Sequence, residues 1–177
     1  MAKSYIPRLV RSFLNQQENH EITFSLSQEI TKKSNCGSEK CKNMMSIFGS
    51  LVADEPEIEF VPVVNQEMVI ITPPEHPLKY KKKLVLEDLL DYPVIGYDKT
   101  SGLGRFTNSI YKQNHIKPSI AFESSDENAI ASLVAEDFGI GFVAHVESLQ
   151  AYDVEILHLS NVKPYHTVIW LILKICR

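Results

Sequence analysis

Cysteine is scarce in this 177-residue chain and poorly placed for chemistry: Cys36, Cys41 and Cys176 are odd in number, and none stands in a C-x-x-C pair. A disulfide scaffold and a zinc ribbon are therefore excluded. Long apolar runs are missing too. The longest, from Val168 to Leu173, is far short of the roughly 20 residues a bilayer-spanning helix needs. Positive charge is not in excess, since 18 Lys and Arg stand against 22 Asp and Glu for a net charge of -4. Without a basic stripe interleaved with aromatics, the chain lacks the electrostatic footprint of one that holds DNA by itself. The start, Met1-Ala2-Lys3-Ser4-Tyr5-Ile6-Pro7, leads into an amphipathic segment rather than the apolar core of a secretory signal, so a cytoplasmic location and no membrane contact are expected. No GxxxxGK[ST] loop, GxSxG elbow or HExxH pattern occurs, and the six histidines are scattered. Neither a metal nor another cofactor is expected.

With 44% hydrophobic and 23% charged residues, the composition is that of a globular chain, and the length fits one domain or two small interlocked lobes. Ile6, Leu9, Val10, Phe13 and Leu14 recur at helical spacing, with Pro7 in a tolerated first-turn position. Ile22, Phe24 and Leu26 alternate with polar residues as in a strand. The β-rich stretches Ile58 to Val64 and Met68 to Thr72 are separated by only three residues, which leaves a hairpin or one bent crossing ribbon open. Three prolines, Pro73, Pro74 and Pro77, followed by Lys79, Lys81, Lys82 and Lys83, mark an internal boundary and a solvated linker face.

Beyond that boundary the order is regular. It reads as a short helix around Leu86 to Leu90, a strand Val94 to Tyr97, a loop Asp98 to Gly104, a helix carrying Phe106 and Ile110, and a strand Ser119 to Glu123. A helix with Ile130, Leu133 and Val134 on one face, a stop at Gly139 and a strand Ile140 to Ala144 complete it. Strands alternating with helices imply a parallel sheet with helices on its faces. The alternating segment Val154 to Leu159 and the β-branched run Thr167 to Leu173 return the chain to its first part.

In such folds ligands bind beyond the carboxyl ends of the strands. Three of these ends are polar. Ser27, Gln28 and Thr31 follow the strand ending at Leu26; Thr100, Ser101 and Gly102 follow Tyr97; and Glu123 and Ser124 close the next strand. Each set can serve a small anion through hydroxyls and helix-start N–H groups, or can simply cap a helix. Ser124 and Glu127 satisfy the S-x-x-E capping box, which accounts for most of the third set. No nucleophile, base and acid converge by pattern, so no enzyme is expected.

Several segments together resemble the effector-binding domain of LysR-type transcriptional regulators. In the first part these are Tyr5-Ile6-Pro7-Arg8-Leu9-Val10-Arg11-Ser12-Phe13, Phe24-Ser25-Leu26-Ser27-Gln28 and Glu57-Ile58-Glu59-Phe60-Val61-Pro62-Val63. In the second they are His76-Pro77-Leu78, Leu86-Glu87-Asp88-Leu89, Ser101-Gly102-Leu103, Phe122-Glu123, Ile130-Ala131, Leu133-Val134-Ala135 and Phe138-Gly139-Ile140-Gly141. The resemblance implies an α/β, type II periplasmic-binding-protein-like fold, with two Rossmann-like lobes joined by two crossing strands near Met68 to Pro73 and Val154 to Leu159. Residues 1–72 and 160–177 would form the first lobe and 73–159 the second. It also implies a small effector in the cleft, sensed without turnover to regulate transcription, and a homodimer.

Position by position, Ser27, Gln28 and Thr31 match the first lobe's effector loop, Thr100, Ser101 and Gly102 the facing loop, and Glu123 and Ser124 the next strand end. Carboxylate-bearing metabolites are the natural ligands. A bulky residue at Ser101 is expected to abolish binding while leaving the thermal transition nearly unchanged. DNA is expected to be contacted only through the family's N-terminal winged helix-turn-helix, which this sequence lacks. The segment from Lys32 to Ser50 departs from the pattern and is expected to be irregular. A solute-binding protein of the same fold is the alternative reading.

Overall fold

The structure is a computed structural model that describes residues 58–173 apart from Lys163, the strand 46–49, and positions 7, 8, 10–12 and 15. Residues 7, 8 and 10–12 are helical, and the Asn15 N–H donates to the Arg11 carbonyl at 3.0 Å, where the first helix is expected. The expected strand Ile22 to Leu26 and the loop with Ser27, Gln28 and Thr31 lie outside the described residues.

The strands are β1 (Ser46–Gly49), β2 (Ile58–Thr72), β3 (Val94–Tyr97), β4 (Ile120–Ser124), β5 (Ile140–Ala144), β6 (Glu155–Leu157) and β7 (Tyr165–Leu173). The helices are α1 (Gly102–Gln113) and α2 (Glu127–Ala135). The order across the sheet is β1-β7-β2-β5-β3-β4, with β6 also on β2.

The two stretches that suggest a hairpin or a bent ribbon are one 15-residue strand. Over 58–67 β2 pairs antiparallel with β7, and over Met68 to Thr72 it pairs antiparallel with β5 and β6. The register with β7 slips between Pro62 and Val64, because proline has no N–H to give the ladder and is accommodated at a bulge. Asn65 to Glu67 therefore extend the strand rather than turn it. The same strand belongs to a first sheet half with β1 and β7, and to a second with β5, β3, β4 and β6.

The second half is mixed, which corrects the all-parallel expectation. β3 runs parallel to both β4 and β5, as strand–helix alternation requires, but β2 and β6 close it antiparallel. Met68 through Ile71 and Thr72 are wholly buried, and Ile70 and Ile71 are paired on both edges, with β5 and β6. Val94 and Ile95 of the central strand meet Leu86, Leu89, Ile130, Val134, Ile140 and Phe142 in one cluster. A central strand buried on both faces reads as an unbroken apolar run, which is why Val94 to Tyr97 and Ile140 to Ala144 are found at their expected bounds.

Local details differ from expectation for identifiable reasons. The short helix expected around Leu86 to Leu90 is present as a 3-10 helix, Leu86–Asp91, in keeping with a segment too short to propagate α hydrogen bonds. The stop after α2 is not Gly139: the left-handed residue is Asp137, at φ 60°, a conformation that a short polar side chain tolerates. Gly139, at φ 145°, instead feeds β5, and a Cβ there would stand 2.4 Å from the Pro93 carbonyl oxygen. The segment expected to be irregular through Ser50 ends in β1, whose Ile47 pairs with Leu171. In the basic run, Lys79 pairs with Glu155 at 2.7 Å and Lys81 with the buried carboxylate of Asp88, while Lys82 and Lys83 are exposed.

Candidate functional site

The carboxyl ends of β3 and β4 stand side by side, and the loops that leave them are joined. The Asp98 N–H donates to the Ser124 carbonyl at 2.9 Å, and the Lys99 ammonium reaches the Glu123 carboxylate at 3.0 Å. Five of the eight expected site residues, Thr100, Ser101, Gly102, Glu123 and Ser124, therefore share one end of the sheet. The other three, Ser27, Gln28 and Thr31, lie outside the described residues.

Asp98 organises the β3–α1 loop. Its Oδ1 accepts from the Thr100 N–H at 2.7 Å and from the Thr100 hydroxyl at 2.8 Å. Its carbonyl accepts from the Ser101 N–H at 2.9 Å and the Ser101 hydroxyl at 2.7 Å. Ser101 is the N-cap of α1: its Oγ accepts from the Gly104 N–H at 2.9 Å, and its carbonyl accepts from the Arg105 N–H at 3.0 Å. The hydroxyl, only 8% of the residue being exposed, is thus engaged both as donor and as acceptor.

A bulky replacement of Ser101 would remove a buried cap, so an unchanged thermal transition is not the outcome this geometry supports. Thr100 is exposed and is the position to probe instead. The turn is tight enough to need glycine two residues beyond Gly102, since a Cβ on Gly104 would lie 1.9 Å from the Asp98 carbonyl oxygen. Helix α1 begins at Gly102, inside what the sequence suggests as loop.

The β4–α2 loop is built with other groups. Asp126 is the N-cap, its Oδ1 accepting from the Asn128 N–H at 3.0 Å. Ser124 is not the cap of a Ser124–Glu127 box; its Oγ accepts from the Asp126 N–H at 3.2 Å. A carboxylate makes the stronger cap because it also meets the positive end of the helix dipole, and that places the cap two residues later than the S-x-x-E reading. Asn128 Oδ1 is buried with no hydrogen-bond partner among the described residues.

Behind both loops, the buried Tyr97 hydroxyl accepts from the Ala144 N–H at 3.2 Å. Burial first, and then its hydrogen-bonded neighbour Glu127, push the phenol well above its ordinary value. Tyr97 thereby ties the ends of β3 and β5 to the start of α2. Nothing in the local pattern announces this role, because Tyr97 reads as one more apolar strand residue.

What the arrangement offers is recognition. The first turn of α1, whose Gly104 N–H is capped by Ser101, stands near the Thr100 hydroxyl, which donates to Asp98, and the Lys99 ammonium, which is held by Glu123; a helix start of this kind favours an anion. Among the described residues no cluster of three His, Cys, Asp or Glu side chains could hold a metal ion, and no helix is long and apolar enough to cross a membrane.

Compared with family models, the chain matches the LysR substrate binding domain over residues 1–174. It belongs to that family. The chain resembles the transcriptional regulator CysB of Burkholderia cenocepacia (26% identical over 102 residues, 58% of this chain and 33% of that protein). It also resembles the regulator CysL of Bacillus subtilis (24% identical over 129 residues, 70% of this chain and 43% of that protein). It thus spans less than half the length of either.

Among solved structures, the effector binding domain of QuiR in complex with shikimate superposes with a TM-score of 0.88 at 32% identity, covering 97% of this chain and 81% of that one. The Synechocystis PCC6803 CcmR regulatory domain in complex with 2-PG superposes with a TM-score of 0.78 at 19% identity, covering 97% of this chain and 83% of that one, and shares the fold. The architecture is the family's type II periplasmic-binding-like α/β fold. These LysR-family relatives are regulators and effector-binding domains, not enzymes, and they do not favour the solute-binding alternative.

Proposed function

We propose that this LysR effector-binding domain senses a small carboxylate-bearing metabolite in a cleft between two lobes, residues 1–72 with 160–177 and residues 73–159, in a cytoplasmic regulator of transcription. The observation that carries the reading is the tightly organised start of α1, capped by the neutral Ser101 hydroxyl, with the exposed Thr100 beside it. A carboxylate there meets the positive end of the α1 dipole near the Lys99 ammonium, with the Asp98 carboxylate already engaged by the Thr100 N–H and hydroxyl. The facing wall we assign, on the sequence match alone, to Ser27, Gln28 and Thr31. Glu123 contributes through Lys99, holding the ammonium near the loop. DNA contact falls to the winged helix-turn-helix of such a regulator.

The assembly we infer is a homodimer. Among the described residues β4 is the terminal strand of its sheet half, with Phe122 and Phe138 exposed by 45% and 50% and their rings 5.7 Å apart. An exposed aromatic pair, Phe122 on the edge strand and Phe138 before β5, invites a partner, and sedimentation of the purified chain tests it.

A thermal-shift titration with shikimate, benzoate and 2-PG, ligands of related domains, tests the site. A ligand at 100 times its Kd stabilises by about 2.7 kcal/mol. The expected result is a saturable upward shift with at least one carboxylate, without turnover, that is weakened about tenfold or more in Thr100→Val. Shifts with none of a broad set of small carboxylates, or consumption of the ligand, would overturn the reading.

A further inference from the structure

β2 changes partners between two adjacent residues. Glu67 pairs with Tyr165 of β7, whereas Met68 pairs with Ala144 of β5 and gives its N–H to the Pro164 carbonyl at 2.9 Å. The two halves of the sheet part at this step. Immediately before it stands Gln66, only 4% exposed between an exposed Asn65 and a half-buried Glu67, and the buried run that follows from Met68 to Ile71 is wholly apolar.

A primary amide enclosed to this degree calls for a hydrogen-bond partner. Burying one unpaired costs free energy that a methionine or leucine of similar size would not, yet among the described residues no hydrogen bond reaches the Gln66 side chain. Neither its Oε1 nor its Nε2 is sealed off, so the little surface Gln66 keeps includes its polar end. Glu67, on the opposite face of the strand, is engaged elsewhere, with its carboxylate 3.0 Å from His158 Nδ1.

The amide faces α1. Gln66 lies opposite His166 across the β2–β7 ladder, and residues directly opposite in an antiparallel pair project from the same face. On that face the His166 ring meets the Phe106 ring edge-on, with centroids 5.2 Å apart. Phe106 follows Gly102, the first residue of α1, by about one helical turn, roughly 6 Å along the axis. The start of α1 and the polar end of Gln66 are thus brought to the same side of the crossing strand by one short stretch of helix.

A primary amide is neutral and presents a donor and an acceptor side by side. A hydroxyl engages both. A second carboxylate engages only the N–H and sets its negative charge against the amide oxygen, and an apolar ring engages neither. We propose that Gln66 is a specificity-determining residue of the effector cleft, hydrogen-bonding a hydroxyl of a ligand whose carboxylate rests at the start of α1, so that hydroxylated carboxylates are selected over their unhydroxylated counterparts. The inference rests on the carboxylate-sensing function proposed above and adds to it the second group that is recognised. A pocket that hydrogen-bonds a ligand hydroxyl rejects the analogue lacking it, because the protein's own polar group is then left unpaired.

Calorimetric titration of the whole chain with small carboxylates in matched pairs, para-hydroxybenzoate with benzoate and shikimate with cyclohexenecarboxylate among them, tests it in the wild type and in Gln66→Met, which has a similar volume and no amide. In the wild type the hydroxylated member of at least one pair should bind about tenfold or more tightly than its counterpart. In Gln66→Met that preference should vanish through loss of affinity for the hydroxylated acid, with affinity for the unhydroxylated one retained and the unliganded Tm no lower than that of the wild type. If Gln66→Met does not fold, NMR of the wild-type chain decides: the Gln66 side-chain NH2 signals should move with the hydroxylated acid and stay in place with its counterpart. A preference that survives in Gln66→Met, affinities that fall together, NH2 signals indifferent to the hydroxyl, or binding confined to unhydroxylated acids overturns the inference and leaves the carboxylate reading standing. Binding of no carboxylate at all overturns that reading, and this inference with it.

Discussion

The β3–α1 and β4–α2 loops leave neighbouring parallel strands at the same end of the sheet, yet one solves the capping problem with a neutral group and the other with a charged one. The first is capped by a neutral, buried Ser101 and turns so tightly that the third helical residue is Gly104. The second is capped by the Asp126 carboxylate, and its third helical residue is an exposed Ala129. A helix start is attractive to anions in both places, but at α2 the capping carboxylate sits on an N–H of the helix itself, whereas at α1 the Asp98 carboxylate is held outside the helix, on Thr100. The difference assigns the roles: α1 is left able to take an external anion, and α2 holds the frame.

The most damaging way to break this comparison is to place a side chain where only the first loop forbids one. Gly104→Val would drive a Cβ into the Asp98 carbonyl, the same carbonyl that accepts from Ser101. Overpacking against backbone costs about 3 kcal/mol or somewhat more. Ala129→Val in α2 meets open solvent and should cost under about 1 kcal/mol, mostly in helix propensity. Chemical denaturation of the two variants measures the gap directly. Equal losses would mean that the tight turn does not distinguish the loops.

Next in size comes removal of the caps themselves. Ser101→Ala deletes a buried hydroxyl that donates to the Asp98 carbonyl and accepts from the Gly104 N–H, and it should cost about 1–2 kcal/mol. Asp126→Ala deletes a half-exposed cap and should cost about 1 kcal/mol or less. The sharper consequence concerns ligand. Asp126→Asn keeps a capping oxygen but removes the charge, so carboxylate binding should strengthen modestly, whereas loss of Ser101 should weaken it. A titration in which both changes act in the same direction would dissolve the distinction between a receiving loop and a supporting one.

Much of this arrangement could be read from residue order, and the misses share a cause. Val94 to Tyr97 and Ile140 to Ala144 are legible because strands buried on both faces must be apolar throughout. The helices carrying Phe106 and Ile130 are legible from their spacing. The cap of α2 is not, because Ser124 and Asp126 are both good caps and the S-x-x-E pattern favours the wrong one; the field of the helix decides in favour of the carboxylate. Gly139 is misread as a stop because a left-handed Asp137 already ends the helix, leaving glycine needed for its approach to Pro93.

The continuity of β2 through Asn65 to Glu67 depends on β7 supplying partners from about a hundred residues away, which no local pattern contains. The same holds for the site. Thr100, Ser101 and Gly102 are visible as a polar strand end, but Asp98 as its organiser, Tyr97 as the tie to β5 and His166 behind Phe106 arise only when distant segments meet.

The smallest expected effect lies away from both loops, toward the amino end of β3, where lowering the pH should cost stability without touching the difference between the caps. His76 packs against the Tyr92 ring at 4.5 Å, and its Nδ1 accepts from the Leu78 N–H at 3.3 Å. Burial lowers its basicity from the ordinary 6.5, partly offset by Asp137. A histidine whose folded basicity is depressed binds fewer protons than the unfolded chain does. Its contribution is therefore intact above about pH 6.5 and is lost as the pH falls through and below that value. The Tm should decline over this window in the wild-type chain. His76→Asn, which can still cap the turn but cannot titrate, should flatten part of that decline, leaving the share due to His166, whose basicity is lowered in the same direction. Over the same window the denaturation gap between Ser101→Ala and Asp126→Ala should stay constant, since the hydrogen bonds that separate them join a hydroxyl and a carboxylate to backbone amides and involve no imidazole. A gap that closes as His76 and His166 take up protons would show that the two loops are coupled to the rest of the sheet more tightly than their separate hydrogen-bond sets imply.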